Sequence, residues 1–326
     1  MRRLLPPVLV GLGVFLLVGA AMLKFYAYPQ LAVAPKDQDS VTRLSATDAV
    51  VFSTDPAFLR EVSMDLAVVN TTRGDIEATD EAPDGTLVWA DTQTVKNTDG
   101  VVLTQSVSLA AHDEHTGEAV DCCGTFFEDD AEAGPVEVVR KGQVYKFPFG
   151  TEKKTYQWWD DTILDTVDAT FEGETELDGL KVYEFVADIP QTVVGTREVP
   201  ASVLGEAGTG NVEADVTYAN RRTLWVEPTT GVVIDRREEQ NNTLQIDGED
   251  RVTTTQATLE FTDAQVAANI DEYSSKASLL GLVNGLFPLL GLILGLLLIA
   301  GGVLLGRSGQ QPGGTVAQKP RQTTKV

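Results

Sequence analysis

The chain has 326 residues, with 48 acidic and 25 basic side chains, and its net charge of −23 excludes a protein that binds nucleic acid through its surface. Only two cysteines are present, so a scaffold held together by several disulfides is excluded as well. Long apolar runs near both ends, separated by an acidic middle, point to a membrane protein.

Two uncharged apolar runs predict transmembrane helices. They comprise Leu4 to Leu23 and Leu279 to Leu305, and each reaches the roughly 20 residues that a helix needs to cross a bilayer. Arg2 and Arg3 precede the first run and Arg307 follows the second, so the positive-inside rule places both termini in the cytoplasm. The first run is too long for the apolar region of a signal peptide, which favours a retained anchor.

The predicted organisation is a plasma-membrane protein that is held at both ends. It comprises a cytoplasmic tail (1–3), a first transmembrane helix (4–26), an extracytoplasmic domain (27–276), a second transmembrane helix (277–306) and a basic cytoplasmic tail (307–326). Seven of the basic residues and none of the acidic ones lie outside 27–276, so this domain carries a charge of −30. We interpret the charge as favouring solubility in a cation-rich envelope.

The domain between the spans has the pattern of antiparallel β-strands. Polar and apolar residues alternate, as in Val62 to Leu66, and helical periodicity is rare. Hairpin turns are predicted at Asn97 to Gly100, Asp178-Gly179, Pro228 to Gly231 and Asp247-Gly248. Short helices are predicted over 158–168 and over 263–276, the latter leading into the second span. The predicted fold class is a mainly β domain of antiparallel meanders between two transmembrane α-helices.

The β region contains a weak internal repeat, which we call the echo. Each copy has the pattern of a strand, an acidic residue, a Thr-Gly turn and a strand that ends in Asp, and the copies are Leu109 to Asp121 and Leu224 to Asp235. The echo fits two similar subdomains, with halves over 27–135 and 136–270. It fits equally well a common hairpin turn that is used twice.

Signals for catalysis are absent from the sequence. There is no Gly-x-Ser-x-Gly motif, no phosphate-binding loop and no dinucleotide fingerprint. The two histidines, His112 and His115, lie in a predicted strand end and turn, so no metal site is predicted. We therefore expect a non-enzymatic protein without a cofactor or a metal.

The two cysteines are adjacent in the sequence. Cys122 and Cys123 lie between Asp121 and Gly124, which are residues typical of turns. Outside the cytoplasm such a pair is free, cross-linked between molecules or closed as a vicinal disulfide. We take Cys122 and Cys123 as a candidate disulfide that would stiffen a turn.

The most unusual segment of the domain runs from Arg140 to Asp161, where cationic and aromatic residues interleave. The candidate ligand-binding residues are Lys146, Lys153, Lys154, Tyr156, Trp158 and Trp159. Aromatic faces stack on sugar rings and amines pair with phosphate or carboxylate, so the segment predicts a site for lipid or glycolipid. The alternative is a hairpin whose aromatic rings pack inward and whose lysines are solvated.

The second span carries a pattern for helix packing. Gly291, Gly295, Gly302 and Gly306 lie within a narrow arc of the helix, and small residues on one face let helices approach closely. The partner is either the first span, with Gly11 and Gly19, or a second copy of the chain. A homo-oligomer through the transmembrane helices is therefore one expectation.

Several strings of residues carry a resemblance to a known family. They are Lys24 to Pro29, Leu31 to Pro35, Gly117 to Gly124, Tyr145 to Phe149 with Thr155 to Asp160, Val194 to Pro200, and Leu224 to Pro228. With them the chain resembles the two-span envelope proteins of actinobacteria that are labelled a PorA-type porin family. The resemblance implies an envelope location and, through the label, a pore. Two apolar helices per chain give no polar lumen, so such a pore would require oligomerisation.

A second resemblance concerns two hairpins. Leu177 to Phe185 and Leu224 to Gly231 are similar to the pattern of bacterial lipoprotein-carrier folds, which implies a curved sheet around an acyl chain. The leading hypothesis is a non-enzymatic envelope protein whose β-rich domain binds or helps to organise lipid, glycolipid or envelope polymer. The alternatives are a scaffold for other envelope proteins and an oligomeric channel. The expected partners are the lipid bilayer, a lipid or glycolipid ligand and further copies of the chain, with no nucleic acid.

Overall fold

The computed structural model describes residues 4–53, 58–129 and 131–308. The described residues fall into a helical unit, which comprises the chain up to Gln30 and from Gly281 onward, and a β domain over Leu31–Leu280. The predicted tail over 1–3 and the part of the second predicted tail beyond Ser308 lie outside the described residues.

Two long helices carry the apolar runs. The first consists of α1 (Leu5–Met22), a π-helical segment (Leu23–Ala27) and α2 (Tyr28–Leu31). The second consists of α4 (Asp263–Gly281), a π-helical segment (Leu282–Leu286) and α5 (Phe287–Ser308). Both helices are long and apolar enough to cross a membrane. The helix predicted over 263–276 is confirmed as the first part of α4.

The β domain is a single antiparallel sheet of twelve strands, which confirms the predicted fold class. The strands are β1 (Asp39–Phe52), β2 (Glu61–Gly74), β3 (Thr86–Asn97), β4 (Val102–Asp113), β5 (Phe126–Glu128), β6 (Val136–Glu137), β7 (Tyr156–Asp160), β8 (Asp165–Leu177), β9 (Leu180–Pro200), β10 (Asn211–Glu227), β11 (Val232–Ile246) and β12 (Glu249–Phe261). Their order is β6-β5-β4-β3-β2-β1-β12-β11-β10-β9-β8-β7, so two meanders meet where β1 pairs with β12. A short helix α3 (Ile76–Glu81) and a 3-10 turn (Ala201–Leu204) connect strands.

The predicted hairpin turns are confirmed, and one predicted helix is wrong. The turns at Asn97 to Gly100, Asp178-Gly179, Pro228 to Gly231 and Asp247-Gly248 each join neighbouring strands. Residues 158–168 form the end of β7, a turn and the start of β8 instead of a helix. Asp160 Oδ1 accepts hydrogen bonds from the backbone N of Thr162 and Ile163, and this bond pattern holds a tight turn between two strands.

One face of the sheet is exposed and the other is covered. Along β1, Arg43 and Ser45 are exposed, while Leu44 and Ala46 are buried. Strand pairing places Leu44 beside Val68, and the same alternation continues along β2. Because cross-strand neighbours share a face, these pairs define an inner and an outer face for the whole sheet.

Backbone hydrogen bonds join the two ends of the sheet into a ring. Residues 117–120 and 142–144 lie side by side between β4 and β7. The connecting bonds run from Val120 N to Ala111 O (2.9 Å), from Ala119 N to Gly142 O (2.7 Å), from Gln143 N to Gln157 O (2.7 Å) and from Trp159 N to Gln143 O (2.9 Å). We call this connection the seam. A β-carbon at Gly142 would lie 2.3 Å from Gln157 O, and its φ is +64°, so the seam requires glycine there.

The ring is closed at one end only. At that end, which we call the closed end, the seam connects β4 to β7. At the other end, Asp188–Pro200 of β9 have no strand partner on the β8 side among the described residues, and Val102–Ser106 of β4 lack one on the β5 side in the same part of the chain. We call this the open end of the barrel.

The chain enters and leaves the β domain at its closed end. Ala34 N donates to Glu114 O (2.9 Å), and His115 Nδ1 lies 2.8 Å from Ala32 O. At the other terminus of the domain, Asn269 Nδ2 of α4 donates to Ile234 O at the start of β11 (2.8 Å). The open end is therefore the end of the barrel that is remote from Ala34 and from the first part of α4.

Candidate functional site

The closed end of the barrel is filled by an aromatic cluster that includes two of the candidate ligand-binding residues. Phe147 has no exposed surface and stacks between Trp158 (ring centroids 5.1 Å) and Phe185 (4.6 Å). Tyr156 packs edge-on against Phe147 at 5.2 Å. The rings of Tyr156 and Trp158 thus pack in the core of the domain.

The remaining aromatic residue of the set supports the seam. Trp159 is buried, and its Nε1 donates to Asp161 Oδ1 (2.7 Å). The same carboxylate oxygen accepts from Nη2 of Arg140 (2.8 Å), whose Nη1 donates to Leu109 O on β4 (2.8 Å). Arg140 is almost fully buried, and it ties the end of β7 to β4.

Two of the candidate lysines are exposed and paired with glutamates. Lys153 Nζ lies 2.8 Å from Glu174 Oε2, and Lys154 Nζ lies 2.8 Å from Glu152 Oε2. Lys153 Nζ also lies 5.2 Å from the centre of the Tyr183 ring. These cations lie on the surface, and each is balanced by a neighbouring carboxylate.

The third candidate lysine is buried at the closed end. Lys146 Nζ lies 3.8 Å from the centre of the Phe149 ring, and within the described residues it has no hydrogen-bond partner. Burial lowers the pKa of Lys146 to about 7. His112 is fully buried nearby between Trp89 and Tyr145, and burial lowers its pKa to about 3. This end of the barrel therefore disfavours positive charge.

A buried ionic cluster lies next to the aromatic cluster on the inner face. Arg222 Nη2 lies 3.0 Å from Asp160 Oδ2, and Arg222 Nε lies 3.3 Å from Glu238 Oε1. Arg236 Nε lies 3.0 Å from the same Glu238 oxygen. Burial raises the pKa of Glu238, but the two guanidinium groups lower it by more than burial raises it. The pKa of Glu238 therefore lies well below its ordinary value. Two cations and two anions balance in this cluster.

A further carboxylate faces the ionic cluster from the opposite wall. Asp91 on β3 accepts a hydrogen bond from Thr72 Oγ1 (2.6 Å). Burial raises the pKa of Asp91, while the hydrogen bond from Thr72 and the charge of Arg236 lower it, and the net shift is upward. β3 and β11 are four strand positions apart, about 19 Å along a flat sheet. The influence of Arg236 on Asp91 therefore fits a wall that curves around a common interior.

The inner face next to these charges is polar on both walls. On β1 to β4 the paired residues form two rows across the sheet: Ser40, Thr72, Asp91 and Ser108, and Thr42, Asn70, Gln93 and Ser106. On the opposite wall, Gln240 pairs with Asn220, and Asn242 pairs with Thr255. We call these residues and the ionic cluster the polar layer.

The inner face becomes apolar towards the open end. One cluster is built on Leu44, Leu66 and Leu259, and a second on Leu204, Leu244 and Val252. The partly exposed apolar side chains that pack against them include Val51, Met64, Val95, Leu103, Phe52, Val199, Val212, Val216 and Ile246. We call these side chains the apolar lining.

A disulfide joins the adjacent cysteines close to the seam. Cys122 and Cys123 are bonded to each other. Cys123 has a φ of +67°, and Cys122 N donates to Val120 O (3.0 Å). The disulfide therefore closes the turn through which the chain leaves the seam.

In the helical unit, small residues bring the two long helices together. A β-carbon at Gly13 would lie 2.6 Å from Gly295 O, so α1 and α5 touch through their backbones there. β-Carbons at Gly291 and Gly302 would come within 3.0 and 2.8 Å of α1 side chains. At Gly306 the distance is 3.7 Å, which is ordinary van der Waals contact. The glycine arc of α5 faces α1.

An apolar cleft of about 400 Å³ lies beside this helix contact. Its lining includes Phe15, Gly19 and Ala20 of α1 together with Phe287 and Gly291. A β-carbon at Gly11 would meet no atom within 4 Å. The close approach on α1 is therefore made at Gly13, and not at Gly11 or Gly19.

Comparison with protein families gives a match over almost the entire length. The model of the family described as Porin PorA matches residues 5–304, which include the first long helix, the whole β domain and the second long helix up to Leu304. The chain belongs to the PorA porin family. As a member of this family with two long apolar helices, it is a membrane protein.

Two relatives carry the family name. Porin PorA of Corynebacterium amycolatum is 26% identical over 302 residues, covering 73% of this chain and 77% of the relative. Porin PorA of Corynebacterium resistens is 26% identical over 206 residues, covering 47% of this chain and 49% of the relative. A solved structure from Bacteroides fragilis, described as an exported protein with a YmcC-like fold, covers 70% of this chain and 96% of its own at 8% identity. Its TM-score is 0.23, a value that does not indicate a shared fold.

The sequence did not reveal the polar layer of this PorA-family chain. Its charged members Arg222 and Glu238 lie on two strands of a hairpin that is rich in charge throughout. A usable signal was their position: Arg222 alternates with Leu224 and Val226, which are buried. A charged residue in register with an inward-facing apolar series predicts a buried charge.

Proposed function

We propose that the β domain binds the acyl chains of a lipid or glycolipid in the open end of its barrel, and thereby holds or moves lipid in the cell envelope. The observation that carries this proposal is the apolar lining. Its side chains are partly exposed, yet they lie on the inner face, where a soluble domain without a ligand would be expected to pack them fully or replace them with polar residues.

An acyl chain is the occupant that suits such a surface. Each methylene group that moves from water to an apolar surface contributes about 0.8 kcal/mol, so one chain supplies enough free energy for stable binding even after the cost of ordering it. The gap between Asp188–Pro200 of β9 and Val102–Ser106 of β4 would give the chain a lateral entrance. We further propose that the domain lies outside the cytoplasm, with both termini inside, on the strength of the basic residues that flank the spans.

Lipid extraction from the purified full-length protein tests the proposal. The protein, isolated in a mild detergent, is analysed by native mass spectrometry, and co-purifying lipid is expected on the wild type. Val95→Glu places a charge in the apolar lining and should strongly reduce the fraction of protein that carries lipid. Val41→Glu on the exposed outer face of β1 is the matched control and should retain the lipid. A folded wild-type protein without lipid would contradict the proposal.

A second candidate function is a channel, and the observation that favours it is membership of a family described as Porin PorA. The outer face of the β domain carries exposed charges such as Arg43, Asp65 and Glu239, so that face does not suit contact with lipid. A conducting path would instead need several copies of the α1–α5 pair around a lumen. Single-channel recordings of purified protein in planar bilayers distinguish this candidate, because a lipid-binding monomer gives no unitary conductance.

A further inference from the structure

Three buried amide oxygens in or beside the polar layer have no hydrogen-bond partner among the described residues. They are Oδ1 of Asn70 on β2, of Asn220 on β10 and of Asn242 on β11. All three residues lie on the inner face. Asn220 of β10 pairs with Gln240 of β11, and Asn242 lies two residues after Gln240 on β11. A buried acceptor without a donor is costly, so these atoms call for donors from a group inside the barrel.

The orientation of one of these amides is fixed by its neighbours. Asn220 is 1% exposed, and its Nδ2 donates to Glu238 Oε2 (2.9 Å) and to the Tyr218 hydroxyl (2.8 Å). The carboxylate of Glu238 can only accept, because the two guanidinium groups keep it ionised. The Asn220 oxygen therefore cannot exchange places with the nitrogen, and it stays a true acceptor.

The charges of the polar layer disfavour an anionic ligand. Arg222 and Arg236 are both paired within the ionic cluster, and Arg140 is paired with Asp161. Asp91 adds a further carboxyl group, which forms no salt bridge with the described residues, although the charge of Arg236 lowers its pKa. Among the described residues of the polar layer a phosphate would thus find no unpaired guanidinium group, and the unpartnered ammonium of Lys146 lies at the closed end, outside this layer. Hydroxyl groups, by contrast, would supply the donors that the three amide oxygens lack.

Resting on the acyl-binding function proposed above, we propose that the polar layer binds the uncharged, hydroxyl-bearing sugar head of a glycolipid. The head would lie deep in the barrel against Asn70, Asn220 and Asn242, with the acyl chains along the apolar lining towards the open end. The order of the two layers along the inner face determines this head-first orientation. The domain would then select glycosyl lipids over phospholipids with the same acyl chains.

Binding of defined lipids to the full-length protein tests this selection. The protein is prepared in an amine oxide detergent, which contains no sugar, and titrated in native mass spectrometry with three probes. The probes are a monoglucosyl diacylglycerol, a phosphatidylglycerol with identical chains, and maltose as a free sugar. The glucosyl lipid is expected to bind at least about tenfold more tightly than the phospholipid, and maltose is expected to bind far more weakly than either lipid.

Matched asparagine variants locate the selection. Asn242→Leu removes one acceptor and should weaken the affinity for the glucosyl lipid by about 2- to 12-fold, while the affinity for the phospholipid stays unchanged. Asn70→Leu on the opposite wall should act in the same way, and it serves if the first variant does not fold. Asn241→Leu, one residue away on the exposed outer face, should leave both affinities unchanged.

Each remaining outcome overturns a distinct part of the argument. If both lipids bind equally and the inner variants behave like Asn241→Leu, water fills the polar layer and the head-group assignment is wrong, although acyl binding stands. If maltose binds as tightly as the glucosyl lipid, the ligand is a free sugar and the head-first glycolipid is wrong. If neither lipid binds to folded protein, the proposed function itself fails.

Discussion

The guanidinium of Arg222 on β10 lies 3.0 Å from Asp160 Oδ2 on β7, although β8 and β9 separate these two strands in the sheet. Three strand spacings amount to about 14 Å along a flat sheet. The contact is made because the wall curves, and it brings one residue from each side of the closed end into a common interior. Both side chains are buried, so the pair is isolated from the screening that weakens surface ion pairs.

Breaking this pair should destabilise the β domain. Asp160→Asn leaves Arg222 buried with Glu238 as its remaining charged partner, and the expected loss is about 3 kcal/mol of unfolding free energy. All four tryptophans of the chain lie in the β domain, so denaturant unfolding followed by tryptophan fluorescence reports on this domain. Asp188→Asn removes an exposed pair with Arg221 and should change the free energy by less than about 1 kcal/mol. Equal losses in the two variants would contradict a special role for the buried pair.

The ionic cluster should make the stability of the domain sensitive to acid. The pKa of Glu238 is 4.5 in an ordinary environment and lies well below this value in the folded protein, because Arg222 and Arg236 outweigh the effect of burial. A lowered folded pKa stabilises the protein above pH 4.5, and this contribution is lost as the pH falls below that value, by up to about 1.4 kcal/mol per pH unit. Glu238→Gln should flatten the dependence of unfolding free energy on pH between about 2 and 4.5.

The slope is the quantity to compare in this experiment, since the glutamine variant also starts from a lower stability. Glu239→Gln, on the exposed outer face, changes the same charge one residue away and is the matched control. Its slope should equal that of the wild type. Parallel slopes in all three proteins would show that the acid sensitivity arises elsewhere in the domain.

Lys146 should give a dependence of the same sign in the alkaline range, where stability again rises with pH. Burial lowers its pKa from 10.5 to about 7, so between these values the unfolded chain binds a proton that the folded chain lacks. Unfolding free energy therefore rises with pH over this window, by up to about 1.4 kcal/mol per unit. Lys146→Met should abolish the rise, whereas the exposed control Lys141→Met should retain it. A rise that persists in Lys146→Met would mean that this ammonium group reaches water.

Local signals were sufficient to predict the hairpin turns and the antiparallel strands that they join. Asp178-Gly179 and Asp247-Gly248 are turns because their backbones adopt positive φ angles that Asp and Gly tolerate, and this preference can be seen in the sequence. The alternation of exposed and buried residues from Arg43 to Ala46 of β1 follows from the apolar Leu44 and Ala46 between polar residues. The helix predicted over 158–168 failed because Trp158 and Trp159 are buried in β7, a preference that tertiary packing decides.

The candidate site depends on contacts that no local pattern encodes. Arg140 reaches Leu109 O and Asp161, which are 31 and 21 residues away, and only the closure of the ring brings them together. The interleaved lysines and aromatics near Tyr156 looked like one surface in the sequence. In the structure the rings of Tyr156 and Trp158 on β7 point into the core, whereas Lys153 and Lys154 lie in the exposed bend that precedes this strand.

The close contact between α1 and α5 should depend on the glycines that face it and not on glycine content in general. A leucine at Gly295 would drive its side chain into the Gly13 carbonyl and Leu17, because even a β-carbon there would lie 2.9 Å from both. Gly295→Leu should therefore widen the distance between spin labels at Leu12 and Leu297, measured by double electron–electron resonance in lipid nanodiscs. Gly301→Leu is the matched control on the same helix, since a β-carbon there meets no atom within 4 Å, and it should leave the distance unchanged. If both variants shift the distance alike, the helices associate through general apolar contact, and the glycine face does not determine their pairing.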